Sequence, residues 1–423
     1  MRTAITSQVL SLALGKTAET VRRKVAALKR GRGPRRVHYF HRVDDPMCQL
    51  LVQVLPELKQ RFEITLVPHV VEQLDAPFFP APERYEAHSI LDAGRVASLY
   101  GLGFPSGARV PDRLGVGMAS RFLASIEEAE SFFESATEIG EALWRYDIAA
   151  VRRLSGMADL GDDRIKENEQ LLRDLGHWES GTLIYEGEHY RGVPRLDYLE
   201  DRLNHEGAGD GQTRFNLGRD LFALLDGNTG ALEGKTLQMY WSGRSPYSYI
   251  ALERAARFSA RVGLQLDVLP ILPMVTRGLP LPSVKKFAIA RDAAREARAY
   301  DIPFGRIADP LGRPIEQGLS LAFALKEEGL DLPFLRSWAR HTWSRGNNGG
   351  TRPGLAAILA TAGLSGRAVS PLDSASWRSL ADKNRDDLAL IGGWGVPTFK
   401  VGHQMFWGQD RLWAAIKALA ESP

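Results

Sequence analysis

The chain has 423 residues, 44% of them hydrophobic and 25% charged, which is the composition of an ordinary globular protein of two or three domains. No apolar run reaches the roughly 18 residues that a spanning helix needs. The single cysteine excludes an intramolecular disulfide and a zinc site built mainly from thiolates, and it fits a reducing compartment, the cytoplasm.

The net charge of +3 hides an asymmetry. Residues 1–36 carry ten Lys/Arg against one acid, Glu19, about +9, which leaves about −6 for the rest. The body therefore has no nucleic-acid footprint. Residues 1–35 read as a basic helical segment. Its apolar run Val9–Leu14 is short and broken by Ser11, unlike a secretory signal. Val21, Val25 and Leu28 share one helical face. A solvated basic helix packed on the body is the expectation, and contact with an anionic membrane surface is a second use for it.

Residues 36–204 follow as one domain. A short strand is expected over Val37–His41, then a helix, then a strand over Phe62–Pro68 and a long helical region. "GLGFPSG" near residue 101 reads as a helix end. A linker spans 205–234, rich in Gly, Asp and Asn, with a short helix over Phe215–Leu225. Residues 235–423 repeat the order: strand Thr236–Trp241, helix, strand Gln265–Leu269, and a helix Lys285–Tyr300 with Phe287, Ile289 and Ala293 on its buried face. A hairpin Thr398–Met405 turning near Gly402 and a closing helix Asp410–Leu419 complete it.

The two halves align. A shift of 200 sets Phe40, Pro46 and Leu50 on Tyr240, Pro246 and Ile250. It also sets Asp92, Arg95, Ala97, Tyr100 and Phe104 on Asp292, Arg295, Ala297, Tyr300 and Phe304, and Trp144 falls one place from Trp343. Near the ends the shift is about 216, so the second copy holds extra residues, placed within "GNNGGTRPGLAAILATAGLSGRAVSP". Strand–helix–strand, helical insert, hairpin–helix is the thioredoxin order. The expected fold is α/β, two tandem thioredoxin-like domains, each with an inserted helical subdomain. The copies are expected to pair as an internal pseudo-dimer.

Three stretches of the second copy carry candidate chemistry. In "YWSGRSPYSY", Pro246 suits the first helical position and Ser245 the cap. Taken alone, that is a structural cap. The same helix start stabilises a thiolate. A serine cannot do redox chemistry and is a poor nucleophile without a base, but it can donate a hydrogen bond to an external thiolate. In "GGWGVPTFKVG", Pro397 precedes a strand. A cis bond there would turn the N–H and C=O of Val396 outward, able to pair with an extended peptide; the plain alternative is a strand-initiating proline. In "FWGQDRL", Gln409 and Asp410 open the last helix. Free amides there receive a carboxylate and the Asp side chain an ammonium, while a first-turn acid is also ordinary. Trp338, His341 and Trp343 read as core packing rather than a pocket lid, and the nine histidines show no metal-ligand spacing.

"SPYSY", "GVPTF" and "WGQDRL", in that order around a helical insert, resemble the DsbA-like thioredoxin superfamily, in particular its 2-hydroxychromene-2-carboxylate isomerase and kappa-class glutathione transferase branch. The resemblance covers 236–421 well and 36–204 only through the repeat. It implies bound glutathione as cofactor. Ser245 matches the serine that hydrogen-bonds the glutathione sulfur, Val396 before Pro397 the backbone clamp, and Gln409 with Asp410 the pair holding the γ-glutamyl group. Lys285 falls near a family lysine, with Lys286 the neighbouring register. The implied activity is thiolate-based isomerisation, or transfer, on a small electrophilic aromatic compound. "TRGLPLPS" replaces the family's usual Asn-bearing loop, and the Asp usual in the strand before the serine is missing. The alternatives are a thiol–disulfide oxidoreductase, disfavoured by the absent CxxC, and a non-catalytic tandem thioredoxin-like binding module.

In the first copy Asp45 stands for Ser245, Cys48 for Ser248, and Gly181 or Thr182 for Pro397. An anion at Asp45 would repel a thiolate, so this copy reads as a structural or pairing domain.

Overall fold

The computed structural model describes residues 8, 11–72, 78–156, 161–225, 227–278 and 282–422. The start of the run Val9–Leu14 and the Leu279–Leu281 part of "TRGLPLPS" lie outside these residues. The chain forms two compact units. The N-terminal unit comprises Arg23–Arg219 with Pro282–Lys285; the C-terminal unit comprises Met1–Arg22, Asp220–Leu281 and Lys286–Pro423. No helix among the described residues is long and apolar enough to cross a membrane.

The first described helix, α1 (Lys16–Arg30), buries none of its residues. Val21, Val25 and Leu28 share one face, as expected, and that face is exposed; charged residues on the helix make its contacts, Arg23 gripping Glu188 and Arg30 meeting Glu186.

In the N-terminal unit, β1 (Arg36–His41) leads through α2 (Pro46–Arg61) to β2 (Thr65–Val70). Five helices follow from α3 (Pro82–Tyr100) to α7 (Asp162–Asp174), then the hairpin β3 (Thr182–Tyr185) and β4 (Glu188–Arg191), and α8 (Leu196–His205). The sheet order is β2-β1-β3-β4, with β1 parallel to β2 and antiparallel to β3. A parallel neighbour needs a crossover, which α2 supplies. Its start is legible in the residues: Asp45 caps it by accepting the Met47 N–H, and Pro46 fills the first position. Gly101, at φ 66°, ends α3 as "GLGFPSG" implied.

The C-terminal unit repeats this order. Here β5 (Thr236–Trp241), α9 (Pro246–Val262) and β6 (Gln265–Pro270) precede the helices α10 (Ser283–Ala299) to α14 (Ser374–Leu390), then β7 (Thr398–Val401), β8 (Gln404–Trp407) and α15 (Leu412–Glu421). The sheet order is β6-β5-β7-β8. In both β1 and β5 the final three residues are all buried, as befits central strands covered on both faces.

The likeness extends to single hydrogen bonds. Asn168 donates to the Val70 carbonyl (3.1 Å) and Asn384 to that of Pro270 (3.0 Å), each joining the last insert helix to the end of the second strand. Gly192 N donates to Gly181 O at 2.8 Å, and Gly408 N to Pro397 O at 2.9 Å. Gly181, not Thr182, therefore holds the place of Pro397. The helix α13 (Arg352–Thr361) stands where α6 (Ile148–Ser155) stands in the first copy, and the extra residues of the second copy lengthen the connections on either side of it, 344–351 and 362–373 against 145–147 and 156–161.

Two local expectations fail. Phe287 is exposed, since α10 buries only Ala293, Ala294, Glu296 and Ala297, all in its second half. Only a 3₁₀ turn, Ala223–Leu225, forms within Phe215–Leu225, where Gly218 and the surrounding polar residues give no continuous apolar face.

Candidate functional site

The site lies where β5 feeds α9. Ser245 caps α9: its Oγ accepts the Ser248 N–H at 3.1 Å and its carbonyl accepts the Tyr249 N–H at 3.2 Å. The Ser245 N–H closes a turn onto Ser242 O at 3.1 Å. Ser248, fully buried at the second cysteine position of a CxxC, accepts the Ser242 N–H through Oγ at 3.4 Å. Both places that a dithiol would use thus hold hydroxyls.

The β7 approach completes it. The Val396–Pro397 bond is cis, and the Val396 carbonyl accepts from Ser245 Oγ at 3.4 Å. That distance is the long end of a hydrogen bond, so the hydroxyl proton is weakly held. No hydrogen bond from the Val396 N–H is found among the described residues. Ser245 and Val396 are half-buried. The sequence-predicted pair is therefore brought together across 151 positions of chain.

Charge surrounds Ser245. Arg244 makes a two-pronged pair with Asp309, both contacts at 2.8 Å. Burial pushes the Asp309 carboxyl up, but the Arg244 hydrogen bond and charge, with help from Lys286, hold it below its usual value. Tyr247 OH donates to Asp292 at 2.7 Å. The loop itself is fixed from beneath: Trp343 Nε1 donates to Gly243 O at 3.1 Å, and Trp338 packs against Gly243. Trp338 and Trp343 are buried. His341 is a core group bonded to Thr361 and Asn347, and burial lowers its pKa to about 4.

The other three expected ligand residues differ in their surroundings. Asp410 is partly exposed and pairs with Arg411 at 3.0 Å. Gln409 is 1% exposed; its Oε1 accepts from Arg254 at 2.8 Å and its Nε2 donates to Glu296. Its amide is committed to the protein, so it is not available to a γ-glutamyl group. Lys285 groups with the N-terminal unit, where Nζ donates to Phe78 O at 2.5 Å. Burial lowers its pKa. The lysine that acts on the Arg244–Asp309 pair is Lys286, the neighbouring register.

Arg244 and Tyr247 escaped the sequence reading, although both lie inside the "GRSPY" stretch; their positions next to the cap were the available signal. The Trp394 and Trp407 rings lie 4.8 Å apart between centroids, and Val396 packs against Tyr240, Ile271 and Leu388. A Cβ on Gly395 would come within 2.9 Å of Trp407 Nε1, so the glycine is needed there.

The matching place in the N-terminal unit is built differently. Asp45 accepts the Met47 N–H at 2.9 Å and the Ser180 hydroxyl at 2.8 Å. A fixed carboxylate occupies the helix start, beside a small recess lined by Arg42, Asp44, Tyr85 and Trp144. Burial, with the Asp45 charge, pushes the Cys48 thiol far up.

Residues 236–420 match the family model for the DSBA-like thioredoxin domain. No curated protein matches the chain. Solved structures similar to it include 2-hydroxychromene-2-carboxylate isomerase, at 20% identity and TM-score 0.34, covering 44% of this chain and 94% of that one. A probable DsbA oxidoreductase from Streptomyces coelicolor has 19% identity and TM-score 0.32, covering 44% and 91%. The cytosolic disulfide reductase DsbM from Pseudomonas aeruginosa with GSH has 18% identity and TM-score 0.31, covering 40% and 88%.

Proposed function

From the premise that residues 236–420 are a DSBA-like thioredoxin domain, we propose that this domain binds glutathione and acts as a glutathione-dependent isomerase or transferase on a small electrophilic, aromatic compound. The observation that carries the reading is the weakly held Ser245 hydroxyl, capping α9 and 3.4 Å from the Val396 carbonyl, in a domain whose two dithiol positions are both serine.

The residues present fit such a cofactor in part. Ser245 would donate to the sulfur once its proton turns from the Val396 carbonyl. The α9 amide end adds partial positive charge, and Lys286 adds a charge beside the Arg244–Asp309 pair. The Val396 backbone would hold the cysteinyl part, and Asp410 the ammonium of the γ-glutamyl end. Gln409 has no part in this. When bound, glutathione would supply a nucleophilic thiolate. Lowering a thiol pKa from about 8.5 to about 6.5 raises the thiolate fraction at pH 7 roughly 20-fold.

The chain's own residues exclude the neighbouring chemistry. With no cysteine at 245 or 248, a resident dithiol step is impossible, which argues against the oxidoreductase alternative. The Asp45 carboxylate fills the equivalent position of the N-terminal unit, so one thiol per chain is expected. The shared strand order and paired hydrogen bonds support a common origin for the two units.

Calorimetric titration with glutathione tests the reading. One saturable site is expected, weakened about tenfold or more in Ser245→Ala, with S-methylglutathione binding both proteins equally. No heat from the parent protein at millimolar glutathione would end it.

A further inference from the structure

The outward face of α1 is built unlike the rest of the surface. Val21, Val25 and Leu28 are 54%, 45% and 81% exposed, and at spacings of four and three they form one stripe. Lys24 and Lys29 flank the stripe and Arg32 lies just past the helix end; all three are exposed. Among the described residues, Lys24, Lys29 and Arg32 make no ion pair. Three other cations of the segment are paired. Arg23 holds Glu188 through two contacts at 2.7 and 2.9 Å, Arg30 meets Glu186 at 2.8 Å, and Arg35 meets Glu63 at 3.3 Å.

The helix thus turns Arg23 and Arg30 to acidic side chains and leaves Lys24 and Lys29 beside its apolar stripe. Folding alone does not favour this arrangement: exposed Leu and Val gain nothing from water, and uncompensated like charges on one helix repel. A surface that is negatively charged outside and apolar just beneath satisfies both sets of groups at once. We propose that this face docks the chain on an anionic lipid surface, with Val21, Val25 and Leu28 at the acyl boundary and Lys24, Lys29 and Arg32 among the headgroup phosphates. An acidic protein surface would take the cations but offers no reason for the exposed stripe. Each cation near such a surface contributes on the order of 1 kcal/mol, about fivefold in affinity, and the attraction fades within a Debye length of about 8 Å at physiological salt. Three cations and three small apolar contacts give reversible docking, not anchoring.

Sedimentation of the full chain with sucrose-loaded vesicles tests this. Binding is expected to phosphatidylcholine vesicles containing about one-third phosphatidylglycerol, little to phosphatidylcholine alone, and release at high salt. Lys24→Glu/Lys29→Glu should lower the partition constant at least about 25-fold. Val25→Asp/Leu28→Asp should lower it at least about tenfold. All four positions are exposed, and circular dichroism will show each variant folded. Equal sedimentation with neutral vesicles, none with anionic ones, or no effect of Val25→Asp/Leu28→Asp would overturn the proposal.

Discussion

The Trp343 indole N–H donates to the Gly243 carbonyl at 3.1 Å, tying the end of α12 (Asp331–Trp343) to the loop that ends in Ser245. Gly243 has no room for a side chain. A Cβ there would meet the Trp338 ring at 2.2 Å and Ile315 at 2.9 Å. Gly243→Ala is expected to cost about 3 kcal/mol or more through overpacking, read as a lower urea midpoint with unchanged slope. Trp343→Phe loses one hydrogen bond, about 1 kcal/mol. Full stability in Gly243→Ala would show that the loop does not rest on Trp338.

Ser245 has two separable roles. Loss of the cap in Ser245→Ala should cost about 1 kcal/mol, seen in thermal unfolding. Loss of the donor should raise the pKa of the bound thiol, followed by thiolate absorbance in a pH titration. Ser245→Asp keeps a capping oxygen and adds an anion, copying Asp45. It should retain the melting temperature of the parent and lose thiol binding. Retained binding in that variant would remove the electrostatic argument.

Gln409 and Asp410 are neighbours with opposite expected behaviour. Gln409→Ala withdraws a buried amide from Arg254 and Glu296. It should destabilise the protein by about 2–3 kcal/mol. Asp410→Ala, at a partly exposed carboxylate, should leave stability within about 0.5 kcal/mol and weaken glutathione. Calorimetry of the two variants side by side separates them, and equal melting losses would contradict the assignment.

The N-terminal unit should show a defined acid limb. Burial works to raise the Glu188 carboxyl, but the Arg23 hydrogen bonds and the Arg202 charge outweigh it and hold the pKa at about 2, below the usual 4.5. A depressed folded pKa means the unfolded chain binds the proton more tightly. The contribution is therefore complete above about pH 4.5 and lost as pH falls through about 2. The difference corresponds to about 3 kcal/mol. Glu188→Gln should flatten the stability curve across this window; an unchanged acid limb would reassign the pairing energy.

Helix starts were legible because their chemistry is local. Asp45-Pro46 and Ser245-Pro246 write cap and first position side by side, and both helices begin there. Strand order followed from the element order, since a parallel pair needs its crossover helix. What could not be read depended on partners far away or on helical phase. Gln409 is buried because Arg254 reaches it from α9, 155 positions earlier. Lys285 and Lys286 differ by one residue, about 100° around a helix, which changes which neighbours each side chain meets. The exposure of Phe287 and of the α1 stripe was hidden for the same reason: periodicity shows that a face exists, not which way it turns.

Cys48 has a practical consequence. Its sulfur is fully buried, accepts the Arg42 N–H at 3.3 Å and has its ionisation suppressed, and the chain owns no other sulfhydryl. Exposed to an excess of an alkylating compound, the native polypeptide should therefore keep its intact mass. Any new thioether found in the mixture would belong to the added tripeptide and could be traced to turnover without correction for self-labelling.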